Sequence, residues 1–127
     1  MRILGFYEEL WPARAEGSLG TIRDFVRDIP EPDEENVIRY LVGGHELFSV
    51  MGVNKDVLGS DYEILAGDSI MSDGEWVWRK GLWFYLSRYH VELPEDFLEK
   101  VRSCGYEVPS VPDPLLDELA DGVSGIW

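Results

Sequence analysis

Residues 67–93 read GDSIMSDGEWVWRKGLWFYLSRYHVEL, and the pattern of this stretch decides the fold. Its first half predicts a β-hairpin, with 68–71 and 75–79 as the two strands and 72–74 as the turn between them. Gly74 favours such a turn, because glycine accepts a positive φ at no steric cost. Aromatic side chains crowd this hairpin, so we expect it to organise the core.

The periodicity of the stretch changes after the hairpin. Along the second strand Trp76 and Trp78 fall on one face, and we expect at least one of them to be largely buried. Leu82 and Tyr89 then belong to a stripe with helical spacing, which predicts a helix at 81–90. A strand, a turn, a second strand and a helix therefore follow one another within one short segment.

The remaining elements are predicted from the same kinds of pattern. Apolar or alternating runs indicate strands, whereas apolar residues that recur every three or four positions indicate helices. Further strands are expected at 45–53 and 62–66, and further helices at 19–28, 33–42 and 94–104. Together they predict an α+β fold: a small, mostly antiparallel sheet with a central aromatic hairpin, flanked by about four helices.

The domain organisation follows from length and from proline content. The chain has 127 residues, which is the usual size of one domain. We expect residues 1–108 to form this single α+β domain. Residues 109–127 are expected to form a proline-rich linker and an acidic C-terminal tail, with one or two turns of helix at 115–121.

Charge is the unusual feature of the composition. Asp and Glu number 25 and Lys and Arg 11, which gives a formal net charge of −14. Nucleic acid and membranes are therefore not expected as partners, since Lys and Arg are what bind their phosphates. An acidic surface attracts a basic protein and speeds that encounter, although the same charge can also serve solubility alone.

The reactive residue types are few. Cys104 is the only cysteine, so no internal disulfide and no cysteine-based zinc site can form. The His45-Glu46 pair lacks the second histidine of a metalloprotease helix, because position 49 is serine. No metal or cofactor is expected. The sequence shows neither a signal peptide nor the roughly 18 apolar residues of a membrane span, so we expect a cytosolic protein.

One short block suggests an enzyme. Gly67-Asp68-Ser69 resembles the nucleophile block of the GDSL esterases, but it lies mid-chain rather than near the N-terminus, and the chain is short for that fold. Neither His45 nor His90 follows an aspartate by three residues, as the catalytic histidine of that family does. A small hydrolase that uses Ser69 is an alternative hypothesis, which requires a base within hydrogen-bond reach of the hydroxyl.

A second resemblance covers roughly residues 36–104. The chain looks like a group of small, acidic, uncharacterised bacterial proteins, some of which are grouped with the immunity proteins of toxin–immunity systems. What this resemblance implies is a non-enzymatic protein that binds and blocks a toxin. The residues that carry it are Tyr40-Leu41-x-x-Gly44, Asp56-Val57-Leu58, Ser72-Asp73-Gly74-x-Trp76-Val77-Trp78-Arg79 and Tyr85-Leu86-x-x-Tyr89-His90-Val91-x-Leu93-Pro94-x-x-Phe97-Leu98.

Charge and resemblance together predict a non-enzymatic binding protein of the immunity type. It would block a basic toxin or nuclease through an acidic surface, with an exposed aromatic side chain as an anchor. A stand-alone regulatory or scaffold module, with several weak partners, is a further alternative. The residues expected at the partner-binding site are Glu31, Asp33, Glu34, Glu35, Tyr62, Asp68, Asp73, Glu75 and Trp76.

Overall fold

The computed structural model describes residues 2–12 and 17–125, and within them the fold is α+β as predicted. The strands are β1 Arg2–Ile3, β2 His45–Phe48, β3 Val53–Lys55, β4 Glu63–Leu65, β5 Ile70–Ser72 and β6 Trp76–Arg79. The helices are α1 Glu34–Val42, α2 Leu82–Tyr89, α3 Glu95–Ser103 and α4 Asp113–Ser124. Three of these helices, α1 to α3, lie where the sequence predicts them.

Four strands form the main sheet, in the order β1-β6-β5-β2. The predicted hairpin is its centre: β5 and β6 pair antiparallel, with Met71 opposite Trp78. Strand β2 joins the outer side of β5 antiparallel, and β1 joins β6 in parallel. Strands β3 and β4 form a separate two-stranded sheet. Most of the pairing is therefore antiparallel, as expected, with one parallel pair at the edge.

The turn of the central hairpin is fixed by its own side chains. One carboxylate oxygen of Asp73 accepts hydrogen bonds from the backbone N–H groups of Glu75 and Trp76, at 3.0 and 2.7 Å. The Ser72 hydroxyl donates to the carbonyl of Trp76 at 2.7 Å, and Gly74 takes φ +98°. Short polar side chains thus replace the hydrogen bonds that the strands lose at the turn, and the glycine permits the positive φ that the turn requires.

Both tryptophans of β6 are buried on one face of the sheet. Trp76 is 3% exposed and Trp78 is fully buried. Phe97 of α3 packs edge-on against both rings, with centroids 5.4 and 6.0 Å away. The indole N–H of Trp78 donates to the carbonyl of Leu41 at 3.1 Å, so its burial leaves no polar atom without a partner. This face carries the larger core cluster, to which α1, α2 and α3 all contribute.

The opposite face of the sheet is also covered. Val77 and Ile70 are fully buried there, beneath Leu119 and Val123 of α4. The sequence prediction of one or two helical turns at 115–121 is too short, because α4 begins at Asp113 and runs for 12 residues. The helix is longer than its acidic composition suggested because its apolar stripe packs on the sheet.

The predicted strand 45–53 is wrong as a single element. Strand β2 ends at Phe48, and β3 begins at Val53 in the other sheet. Between them the Ser69 hydroxyl accepts from the N–H of Val50 at 2.9 Å and donates to its carbonyl at 3.3 Å. A side chain thereby occupies the backbone groups that a continuous strand would offer to a neighbour.

The predicted helix 19–28 is also wrong. Only a single 3-10 turn, Ile22–Phe25, forms in this region. Gly17 and Gly20 adopt φ +94° and +101°, which no right-handed helix allows. The Glu9 carboxylate accepts the N–H of Ile22 at 2.8 Å and fixes the start of the turn. Val26, directly after the turn, is extended and ends the helical conformation.

Candidate partner-binding groove

The acidic residues predicted at the start of α1 mostly hold the fold together. Asp33 accepts two hydrogen bonds from the Arg102 guanidinium, at 2.9 and 3.2 Å, and one from the Tyr106 hydroxyl at 2.7 Å. Glu34 contacts the His90 ring nitrogen at 2.8 Å. Glu35 is exposed. Asp33 and Glu34 thus join the start of α1 to the ends of α2 and α3.

Electrostatics at Asp33 reflect that role. Hydrogen bonds from Arg102, with a further one from Tyr106, lower the pKa of the Asp33 carboxyl to about 2, against an opposing effect of burial. The carboxylate is therefore stabilised in its charged form by the protein itself. A partner that used Asp33 would have to compete with Arg102, so this residue is poorly suited to recognition.

The predicted site residues of the hairpin are engaged in the same way. Asp73 is 1% exposed, and its second oxygen accepts from the Tyr40 hydroxyl at 2.7 Å and lies 3.3 Å from the Lys100 ammonium. Glu75 lies 3.7 Å from Arg2 and 3.5 Å from Lys100. Their charges are therefore balanced locally rather than directed at a partner.

Trp76 cannot be the exposed aromatic anchor that the sequence suggested. It lies beneath the Arg2 guanidinium, 4.0 Å from the ring centroid, and against Phe97. Tyr62 is 45% exposed, and its ring stacks on Phe84 with centroids 4.5 Å apart. Of the two aromatic candidates, only Tyr62 presents surface to solvent.

Ser69 has a structural role that does not match the one the hydrolase hypothesis requires of it. Its side chain is fully buried, and its hydroxyl bonds both backbone groups of Val50. The His45 ring is hydrogen-bonded to the carbonyl of Pro109, and the His90 ring is hydrogen-bonded to the Glu34 carboxylate. Neither histidine is a hydrogen-bond partner of Ser69, so the base that a nucleophilic serine requires is missing from that position.

A different surface combines exposed apolar groups with acidic residues that are only partly engaged in ion pairs. An open groove of about 340 Å³ lies between two segments of the chain, residues 19–31 and residues 92–95. Leu19 and Ile29 project beside it, and they are 50% and 76% exposed. A second depression, around Ile29, shares Arg27 and Glu31 with the groove and continues it. We call these two depressions together the acidic groove.

Backbone hydrogen bonds hold the acidic groove in place. The N–H of Arg27 donates to the carbonyl of Tyr89 at 3.1 Å, and the N–H of Glu92 donates to the carbonyl of Phe25 at 2.8 Å. The Arg27 side chain also donates to the carbonyl of His90 at 3.2 Å. The exposed residues of the segment therefore stand on a fixed backbone, which lowers the entropic cost of binding.

The charge of the acidic groove is strongly one-sided. Its lining carries one cation, Arg27, against four carboxylates: Asp28, Glu31, Glu92 and Glu95. Arg27 is itself paired with Glu31, at 3.5 Å. Asp28 and Glu92 are exposed and have no ion-pair partner within residues 2–12 and 17–125. A basic group would find free carboxylates here, next to exposed apolar side chains.

Sequence reasoning found only Glu31 of this groove. The exposed apolar residues of the groove were missed because a helix predicted at 19–28 would place Leu19 and Ile29 on one buried stripe. The signal against that helix was present in the sequence, as Gly17 and Gly20 stand at its start and Pro30 at its end. Glycines so placed favour turns, which would have left the apolar residues exposed.

Comparisons with known proteins add no relative. No protein-family model matches the chain, and no curated protein and no solved structure is significantly similar to it. The resemblance to immunity-type proteins therefore stays a prediction. Across the described part of the chain, no three His, Cys, Asp or Glu residues are arranged to hold a metal ion. The helices in that part are all too short or too polar to cross a bilayer.

Proposed function

We propose that the chain is a non-enzymatic binding protein, an immunity-type inhibitor that blocks a basic toxin or nuclease domain in the cytoplasm. The partner would dock on the acidic groove, with a cationic segment facing Asp28 and Glu92. Leu19 and Ile29 would supply the apolar contacts, since tight interfaces depend on a few well-packed side chains inside a polar rim.

One observation carries this proposal: two unpaired, exposed carboxylates stand beside exposed aliphatic side chains on a fixed backbone. Several carboxylates of the site predicted from the sequence are instead used within the fold, as those of Asp33 and Asp73 are. The net charge of −14 adds long-range attraction for a basic partner, and this raises the association rate most at low salt.

The test begins with isolation of the partner from the native host, followed by kinetics with the purified pair. The double variant Asp28→Lys/Glu92→Lys should lower the association rate at least about tenfold at roughly 50 mM salt, because steering is lost. Ile29→Ala should instead raise the dissociation rate, since it removes contact area and no charge.

The matched control is Asp117→Lys/Glu118→Lys on α4. These two acids are also exposed, and this double variant changes the net charge by the same amount. The association rate of this control variant should fall by less than about threefold. Surface charges far from the interface act on the partner only through the screened field of the whole protein.

Three outcomes would contradict the proposal. The control could weaken binding as much as the groove variant, the partner could prove acidic, or the association rate could stay constant between about 50 and 500 mM salt. Several weak partners in place of one tight partner would favour a regulatory or scaffold module.

A further inference from the structure

A second exposed apolar surface lies on the β3–β4 hairpin. Val53 is 56% exposed and Leu65 is 73% exposed, although both belong to regular strands. Met51, two residues before β3, is 93% exposed. Ile64 points the other way and is buried in the larger core cluster. One face of this hairpin is therefore packed on the body of the protein, whereas the other presents aliphatic side chains to water.

The register of the two strands arranges the exposed side chains in pairs. Val53 lies directly opposite Leu65, and Lys55 lies directly opposite Glu63. Because side chains alternate across a strand, these four residues share one face of the hairpin. All four are exposed, and the residue between them on each strand is not. We call this surface, an aliphatic pair beside a pair of opposite charges, the hairpin face.

Hydrogen bonds hold the hairpin face in place. The Asn54 amide donates to the Asp68 carboxylate at 2.8 Å, which ties β3 to the chain before β5. The N–H of Ala66 donates to the carbonyl of Gly52 at 2.8 Å, so the pairing continues beyond the strands. A surface on a fixed backbone loses little entropy when it binds.

The charges of the hairpin face suit a second copy of the same chain. Most of the charged residues of this protein are acidic, but this face carries one cation and one anion. Lys55 and Glu63 form no ion pair within residues 2–12 and 17–125. Two copies that meet here can therefore pair opposite charges, although each copy has a net charge of −14.

The register also makes the hairpin face complementary to itself. Half a turn about an axis parallel to the strands lays β3 of one copy over β4 of the other. Each Val53 then meets the partner's Leu65, and each Lys55 meets the partner's Glu63, because both pairs are in register. Such a two-fold contact uses the same surface on both copies and closes on itself.

We propose that two copies of this chain associate through the hairpin face, with Val53 and Leu65 at the centre and a Lys55–Glu63 contact on each side of the two-fold axis. A face of so few side chains covers less than the roughly 1,200–2,000 Å² of a stable interface. The dimer is therefore weak, with a Kd of about 10–500 µM. The hairpin face shares no residue with the acidic groove, so the two proposals are independent.

The test is sedimentation equilibrium of the full chain from about 5 µM to about 1 mM, a range that brackets this Kd. Roughly 150 mM salt screens the overall repulsion, since the Debye length is then about 8 Å. We expect an equilibrium of monomer and dimer with no larger species. Leu65→Ser should raise the Kd at least about tenfold, because it removes apolar contact area at the centre. Leu115→Ser, at an exposed position of α4, is the matched control and should change the Kd by less than about twofold.

Charge variants test the two-fold geometry itself. In Lys55→Glu and in Glu63→Lys, like charges face each other across the axis, so each variant alone should dimerise at least about tenfold more weakly. An equimolar mixture of the two should form a heterodimer at least as tight as the parent dimer, because two acids then face two lysines. Glu118→Lys changes the net charge as Glu63→Lys does, but on α4, and should not weaken the dimer.

The proposal is overturned if the chain stays monomeric up to roughly 1 mM, or if Leu65→Ser dimerises as tightly as the parent. It is also overturned if the mixed charge variants associate no better than either variant alone, or if species larger than a dimer dominate. Should Leu65→Ser fail to fold, the mixture decides the question, since Lys55 and Glu63 are both exposed.

Discussion

Asp73 is the residue on which the central hairpin depends most. Its carboxylate serves two backbone N–H groups, the Tyr40 hydroxyl and the Lys100 ammonium, almost entirely out of contact with water. Removal of the carboxylate in Asp73→Ala leaves two buried donors, the Trp76 N–H and the Tyr40 hydroxyl, without this acceptor. We expect a loss of about 3–5 kcal/mol in the free energy of unfolding, measured by urea denaturation. Asp117→Ala, an exposed change, should stay within about 0.5 kcal/mol.

Asp33 gives stability a defined pH dependence. Its pKa in the folded chain is about 2, below the ordinary value of 3.8. The carboxylate therefore contributes stability above about pH 4, and that contribution is lost as the pH falls toward 2. Arg102→Met should cost roughly 1 kcal/mol at pH 7, a modest value because Arg102 is 35% exposed and screened by solvent.

The pH profile distinguishes this ion pair from simple packing. The difference between the parent chain and Arg102→Met should shrink from pH 4 to pH 2, as Asp33 becomes protonated in both proteins. Arg39→Met removes an exposed arginine of α1 and should show no such trend. A constant difference down to pH 2 would show that the Arg102 contribution does not come from the Asp33 charge.

Roles of single residues were the hardest feature to predict from sequence. Asp33 and Asp73 had been assigned to a partner surface, yet their own partners Arg102, Tyr106, Tyr40 and Lys100 lie far away in the chain. Sequence patterns report neighbours within a few positions, so they cannot show which distant cation will satisfy a given acid. Acidic residues of this kind look exposed until the tertiary contacts are known.

At the scale of elements, α4 contributes more to the core than its sequence pattern predicted. Leu119 is 7% exposed, and it closes the face of the sheet that carries Val77. Leu119→Ala should cost about 2–3 kcal/mol in thermal or chemical unfolding, since the cavity cannot close fully. Leu115→Ala, the same change on the same helix at a position 38% exposed, should cost clearly less than half of that.

The local patterns predicted those elements whose neighbours in sequence are also their neighbours in space. The β5–β6 hairpin and helices α1, α2 and α3 all belong to this group, and each was placed within two residues or so. The prediction for 45–53 was wrong because the distant Ser69 side chain binds its backbone. The helix predicted at 19–28 does not form because Gly17 and Gly20 take positive φ, and the distant Glu9 fixes the start of the 3-10 turn. Because a helix was predicted at 19–28, the acidic groove was not predicted.

At the scale of the whole molecule, the excess of negative charge should oppose compaction. With a net charge of −14, repulsion among carboxylates is long-ranged at low ionic strength, where the Debye length is about 30 Å at 0.01 M salt. Raising KCl from about 10 to about 150 mM shortens that length to roughly 8 Å and should raise Tm by a few degrees. A lower Tm at the higher salt would mean that the ion pairs outweigh the repulsion.

Net charge and the α+β class were both readable from the sequence, but the distribution of the charge was not. The acids of the predicted site split into paired groups, such as Asp33 and Glu75, and exposed ones, such as Glu35. The net charge is a property of the composition. Which carboxylates remain available to a partner depends on every tertiary ion pair.

The parallel pairing of β1 with β6 has a consequence for biosynthesis. Arg2 lies beside Trp76, and β1 precedes β6 in the chain, so during translation β1 has no partner until the hairpin has been synthesised. Contacts between residues close in the chain form sooner than contacts that close a long loop. The β5–β6 hairpin is therefore expected to form before β1 joins its edge. Translation and folding therefore run in opposite directions at this edge of the sheet: β1 is synthesised before the hairpin but joins the sheet after the hairpin has formed.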